Sequence, residues 1–177
     1  MKTLALAVLL LITAGPAFTF ENSSEWIKYQ SAEGRYSILF PVQPTLSTEQ
    51  STTLAGHKLT QYRASAADGK ATFFIAYYDY FSGTMFSFDK ARDGIVGKIK
   101  GTLLSERGIK LEGHQGRELQ ISAVGPDGTE LLDRARLYSV HRRIYVLQVI
   151  TVKSEDDSAS AEKANRYFAS FQITKIH

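Results

Sequence analysis

Two segments of this chain, Thr72–Phe81 and Arg143–Val152, are apolar on both faces of an extended backbone. In the first, Phe73, Ile75, Tyr77 and Phe81 alternate with Phe74, Ala76, Tyr78 and Tyr80. In the second, Tyr145, Leu147 and Val149 alternate with Ile144, Val146, Ile150 and Val152. Successive strand side chains point to opposite faces, so a strand of this kind has no face to offer water. Each segment therefore predicts an interior strand of a sheet that is covered on both sides. No other pattern in the chain constrains its fold as much.

Turn chemistry places partners beside these strands. Ala67-Asp68-Gly69-Lys70 lies between Leu59–Ala66 and Thr72–Phe81, and its Asp-Gly pair is a hairpin signal. Gly125-Pro126-Asp127-Gly128 is a second, with Pro presetting one turn residue and Gly accepting a left-handed one. Its arms are Arg117–Val124 and Thr129–Val140, and Arg143–Val152 folds back through His141-Arg142. Nearer the start, Tyr36, Ile38 and Phe40 alternate before Pro41 ends the strand.

Two runs have the helical period. Ser87 is placed to cap the first, Asp89 suits its opening turn, and Phe88, Ala91, Ile95 and Ile99 form one stripe. Gly94, Gly97 and Gly101 are expected on the opposite face, so this helix needs tertiary packing to hold. The second run is expected to begin near Ser154, where Ser154-Glu155-Asp156-Asp157 resembles a capping box. Ala161, Ala164, Phe168 and Phe171 share its apolar face, and Phe171-Gln172-Ile173 reads as a short closing strand. Hairpins, helix, hairpins and helix in that order specify α+β: a largely antiparallel sheet with two main helices packed against it, in a single domain.

The N-terminus has the plan of a secretory signal. Lys2 precedes an apolar run from Leu4 to Ile12, and small residues follow to Gly15-Pro16-Ala17. The run is too short to span a bilayer, so cleavage after Ala17 and a mature domain over 18–177 are expected. Losing Lys2 from 21 basic residues leaves a balance of +2 against 18 acids, which supports no nucleic-acid partner. The chain has no cysteine, hence no disulfide and no thiol for a lipid anchor. A periplasmic or secreted monomer without stable membrane insertion, meeting a protein or small-molecule partner, is the resulting expectation.

Several segments together carry a family likeness. They are Trp26, Tyr29 and Ser31, then Tyr36-Ser37-Ile38-Leu39-Phe40-Pro41, and Gly113-His114-Gln115-Gly116-Arg117-Glu118-Leu119 leading into a strand. Arg142-Arg143-Ile144-Tyr145-Val146-Leu147 and Ala169-Ser170-Phe171-Gln172-Ile173 complete the set. In these the chain resembles the PsbP-like superfamily, which includes the extrinsic P subunit of photosystem II and Ran-binding Mog-type proteins. The resemblance implies an antiparallel sheet between helices and a non-catalytic accessory or interaction role. It transfers no site residue, and the bacterial-type export signal argues against a photosynthetic role.

Candidate chemistry is sparse. His57, His114 and His141 fall in or beside turns, and three converging imidazoles would ligate zinc or copper. Their spacing matches no ligand pattern, so solvated turn histidines and no cofactor are expected. Asp79, Glu118 and Asp133 are the acids within predicted strands. Asp79, set among Tyr77, Tyr78, Tyr80 and Phe81, would serve an extracytoplasmic hydrolase as general acid if its pKa were raised. The expectation here is that it is catalytically silent. As a binding surface, Tyr78 and Tyr80 offer flat amphipathic faces, and Arg134 and Arg136 share a strand face with Tyr138 that would grip an anion. Against that, aromatic strand residues are usually core and arginines usually solvated.

Overall fold

A computed structural model describes residues 25–52, 58–69, 71–81 and 86–174. The export signal, its cleavage site and His57 lie outside the described residues. Strands β1 (Ile27–Ser31), β2 (Tyr36–Phe40), β3 (Thr45–Thr52), β4 (Lys58–Asp68) and β5 (Ala71–Asp79) precede helix α1 (Phe88–Lys98). Strands β6 (Thr102–Leu111), β7 (His114–Val124), β8 (Glu130–Val140) and β9 (Arg143–Val152) follow, then helix α2 (Ser158–Ala169) and strand β10 (Gln172–Ile173).

The two apolar-on-both-faces segments are interior strands. The larger sheet has the order β3-β4-β5-β9-β8-β7-β6, so β5 and β9 are paired neighbours at its centre. Their register runs from Ala71 opposite Thr151 to Asp79 opposite Arg143. One face carries Phe73, Ile75, Tyr77, Tyr145, Leu147 and Val149, all buried. The other carries Ile144 and Val146, with Tyr78 packed against them. All the pairings of both sheets are antiparallel.

The single sheet expected from sequence is two. β2 pairs with β1 and β10 in a separate three-stranded sheet, which lies over the first face together with α2. The reason is burial. Tyr36, Ile38 and Phe40 are almost wholly buried against Tyr77, Tyr145 and Tyr167, which a continuation of the large sheet would not allow. Tyr167, buried in α2 between Phe40 and Phe73, was absent from the expected stripe. The layers are thus α1, the seven-stranded sheet, and α2 beside the small sheet.

Turn signals held with small shifts. The first hairpin closes at Asp68 opposite Ala71, with Gly69 at a φ of 61°. In the second, the Gly128 amide donates to Gly125 O (3.0 Å), and Asp127 Oδ1 accepts from the Thr129 amide (3.0 Å). The start of α2 is a correction. Lys153–Glu155 forms a 3₁₀ turn, and the side chain of Asp157, not Ser154, caps the helix by accepting from the Ser160 amide at 2.8 Å. Asp156 is drawn instead to Arg134 of β8, whose Nη2 reaches both its oxygens (2.7 and 2.8 Å).

Helix α1 forms as expected, Ser87 Oγ accepting from the Lys90 amide at 3.3 Å. It buries no residue completely, although Phe88, Ala91, Ile95 and Ile99 pack on the second sheet face. Ion pairs reinforce it: Glu106 of β6 accepts from Arg92 of α1 (2.8 Å) and is paired with Arg117 of β7. Gly101 does not belong to its open face, because a Cβ there would strike Ile121 and the Ser122 carbonyl. Gly94 lies on the flank of the helix, not opposite its stripe, with nothing within 4 Å of an added Cβ. Gly94→Ala should therefore stabilise the protein by about 0.5–1 kcal/mol, as lost backbone entropy is recovered without a clash. A lowered urea midpoint would contradict this packing.

Candidate functional site

Two concave regions of the large sheet gather candidate residues. The first lies at its hairpin-turn end, where a depression of about 660 Å³ is lined by Arg35, Asp79, Glu112, His114, His141, Arg142 and Arg143, among others. Tight turns bring these together: Glu112 and His141 take positive φ of 49° and 55° in two-residue hairpins of the primed type, and Arg35 takes 55° at the end of the four-residue β1–β2 loop. His114 and His141 meet edge to face, ring centroids 5.6 Å apart. Two of the three candidate histidines thus converge. Among the described residues no group of three or more His, Cys, Asp or Glu is placed to hold a metal.

Asp79 and Arg143 neutralise one another at this end. Arg143 Nε and Nη2 each donate to an Asp79 carboxylate oxygen at 2.7 Å, and its Nη1 donates to Glu33 O at 2.6 Å. Arg142 is turned onto the Tyr80 carbonyl (3.2 and 3.1 Å). Hydrogen bonding from Arg143 holds the Asp79 carboxyl below the usual carboxylate range, and its charge adds to the effect. The raised pKa that would make Asp79 a general acid is not found. The cause is the strand register, which sets Arg143 directly across from it.

The second region is a cleft of about 560 Å³ between α1 and the second sheet face. α1 lies over the β7–β8 side, packed near Leu119, Ile121, Ala135 and Leu137, and leaves the β4–β5 side open. The floor comes from Phe74, Ala76 and Tyr78 of β5 with Val146, Gln148 and Ile150 of β9. Ile95 and Gly94 of α1 form one wall, and Glu49, Arg63, Lys90 and Lys98 stand around it. Gln148 is a buried polar residue in this apolar floor. Its amide nitrogen donates to Asp133 Oδ2 at 2.5 Å, and Asp133 is itself only 1% exposed. Burial pushes the Asp133 carboxyl up to about 7, only partly offset by the Gln148 hydrogen bond.

The four binding candidates do not assemble. Tyr78 lines the cleft, where burial raises its phenol pKa. Tyr80 leaves the cleft; its hydroxyl donates to His141 O (2.6 Å) and its ring stacks on Phe86. Arg134 is held by Asp156, and Arg136 Nε donates to Glu118 (2.6 Å) while its guanidinium covers the Phe168 ring. Both arginines lie on the face opposite the cleft, so they serve packing of α2 rather than an anion site. Sequence reasoning missed Arg63, Lys90, Lys98 and Gln148. A lone Gln in a doubly apolar strand was a readable signal; the cations carried none.

No protein-family model matches the sequence, and no curated protein matches it. Solved structures do. The solution structure of cyanobacterial PsbP (CyanoP) from Synechocystis sp. PCC 6803 superposes with a TM-score of 0.61 at 11% identity, covering 94% of this chain and 98% of that one. A Pseudomonas aeruginosa protein of unknown function, PA94, gives a TM-score of 0.49 at 13% identity over 86% and 99% of the two chains. The chain has a PsbP-like fold. At 11% identity the likeness to cyanobacterial PsbP extends to architecture alone. Among the described residues no helix is long and apolar enough to cross a membrane.

Proposed function

We propose that the protein is an exported, non-catalytic accessory or binding module whose working surface is the cleft beneath α1. One observation carries the reading. Among the described residues, the second face of the seven-stranded sheet is covered by one short helix, which leaves Phe74, Tyr78 and Val146 lining a concave space of ligand size. Apolar surface exposed in a cleft marks a place where something binds. At the turn end Asp79 is ion-paired and held deprotonated, where a hydrolytic general acid needs a raised pKa. Export is supported by the apolar run from Leu4 to Ile12 and the small residues that end at Ala17.

Both halves can be tested on one preparation. Protein released by osmotic shock from an expressing bacterium should begin at Phe18; an intact Met1 in the membrane fraction would overturn export. The released protein should bind the neutral dye N-phenyl-1-naphthylamine, with amide chemical-shift changes centred on Tyr78, Gly94 and Val146. Changes centred on Arg35, His114 and His141 instead would move the working surface to the turn end.

A further inference from the structure

The cleft under α1 has a charge pattern as well as a shape, and the inference drawn from it rests on the reading just given. Its floor is apolar over Phe74, Tyr78, Val146 and Ile150, and one hydrogen of the Gln148 amide is given to Asp133. The rim is cationic. Arg63, Lys90 and Lys98 face a single carboxylate, Glu49, which accepts from Arg63 Nη2 at 3.2 Å and from Lys98 Nζ at 3.3 Å. Among the described residues the Lys90 ammonium has no ion-pair partner. Arg63 Nε is buried without a hydrogen-bond partner among them, and its guanidinium sits 5.4 Å from the centroid of Phe74 on the floor. Positive charge in excess, set at the edge of an apolar trough, complements a molecule with a greasy body and one negative end.

We infer that the cleft takes a small amphipathic anion: an aliphatic chain bearing a carboxylate. The chain lies along Phe74, Tyr78 and Val146, and the carboxylate meets Lys90 and the open side of Arg63. A cationic head of the same size would meet three positive groups with their only carboxylate already engaged. A guanidinium over an aromatic ring suits the junction of head and tail, because it is weakly hydrated and keeps donors directed outward.

Displacement of N-phenyl-1-naphthylamine from the mature chain tests this with two surfactants of equal tail, both below their micelle concentrations. Dodecanoate should displace the dye at a concentration about ten-fold lower than dodecyltrimethylammonium does, as expected for roughly 1.4 kcal/mol of charge discrimination. Lys90→Glu should narrow that preference by about the same factor; Lys90 is exposed, so its loss leaves folding intact. Gly94→Leu places a side chain in the cleft from a position with open space around it. It should abolish displacement and dye binding while the melting temperature holds or rises. Equal displacement by both surfactants, or a preference untouched by Lys90→Glu, overturns the anion and leaves the cleft as the binding surface. A dye that fails to bind, or binds Gly94→Leu as well as the parent, overturns the cleft itself and the anion with it.

Discussion

Asp133→Asn should stabilise the protein by about 2–4 kcal/mol at pH 8 and remove a pH dependence that the parent shows. The Asp133 carboxyl is buried beneath Gln148 with one oxygen unpartnered among the described residues, and burial raises its pKa to about 7. In the unfolded chain it titrates near its usual value of about 3.9. Between those two values the native state holds a proton that the unfolded state has released. Stability from this group is therefore complete below about pH 4, falls as pH rises towards 7, and levels off above it. The full difference is roughly 4 kcal/mol, reduced if the buried site relaxes or admits water. Asparagine keeps the shape and an oxygen for the Gln148 amide but has nothing to ionise. Asp79 and Glu106 act in the opposite sense, since their arginine partners hold both carboxyls low. Their contribution is present at neutral pH and lost as pH falls below the usual carboxylate range. Urea midpoints from pH 4 to 8 separate the two effects. A parent whose midpoint is flat from 4 to 7, or a variant less stable than the parent at pH 8, would refute the buried protonated acid.

Tyr167 gives the other large effect, and the sign depends on what is removed. Its side chain is wholly buried in α2, with ring centroids 5.4 Å from both Phe40 and Phe73 and 5.6 Å from Phe168. Tyr167→Ala should cost about 3–5 kcal/mol, lost burial plus the cavity it leaves. It joins the small sheet, α2 and the large sheet, so the loss should appear in a single cooperative transition. Tyr167→Phe should do the reverse. The hydroxyl is buried without a hydrogen-bond partner among the described residues, so removing it should raise stability by about 1 kcal/mol. For a domain of this size that is a rise of roughly 2–4 °C in melting temperature. A Phe variant that melts well below the parent would show that the hydroxyl is satisfied in solution.

The elements read correctly from sequence are those whose signal is local. Phe73 to Tyr78 and Ile144 to Val149 announce central strands because a two-residue period with both phases apolar is intelligible without knowing the partner. Ser87 and Gly128 act through neighbours three residues away. Edge strands carry much less. β3 has one apolar side chain in its first six positions, Leu46, and that one is 60% exposed. β6 has a register shift between Leu103 and Ser105 and exposes Leu104. Neither shows the alternation that a half-buried strand would. The cap of α2 was missed for a different reason: four consecutive candidates precede it, and a contact to Arg134 twenty-two residues away decides which one turns to the helix. Asp133 was more legible than it was read to be, because its phase on β8 puts it on the same face as Ala135 and Leu137.

The sequence by itself determined an α+β chain of antiparallel hairpins with β5 and β9 at the centre, because period, turn chemistry and capping act over a few residues. It did not determine the separation into two sheets, which follows from the burial of Tyr36, Ile38 and Phe40 against residues more than thirty positions away. Nor did it determine the cleft. Among the described residues that space exists because α1, eleven residues long, covers one side of a seven-stranded face and not the other. Its rim joins Glu49, Arg63 and Lys90 from three elements whose sequences carry no mark of one another. Coverage of one surface by another is a property of the packed chain, and only the tertiary structure could decide it.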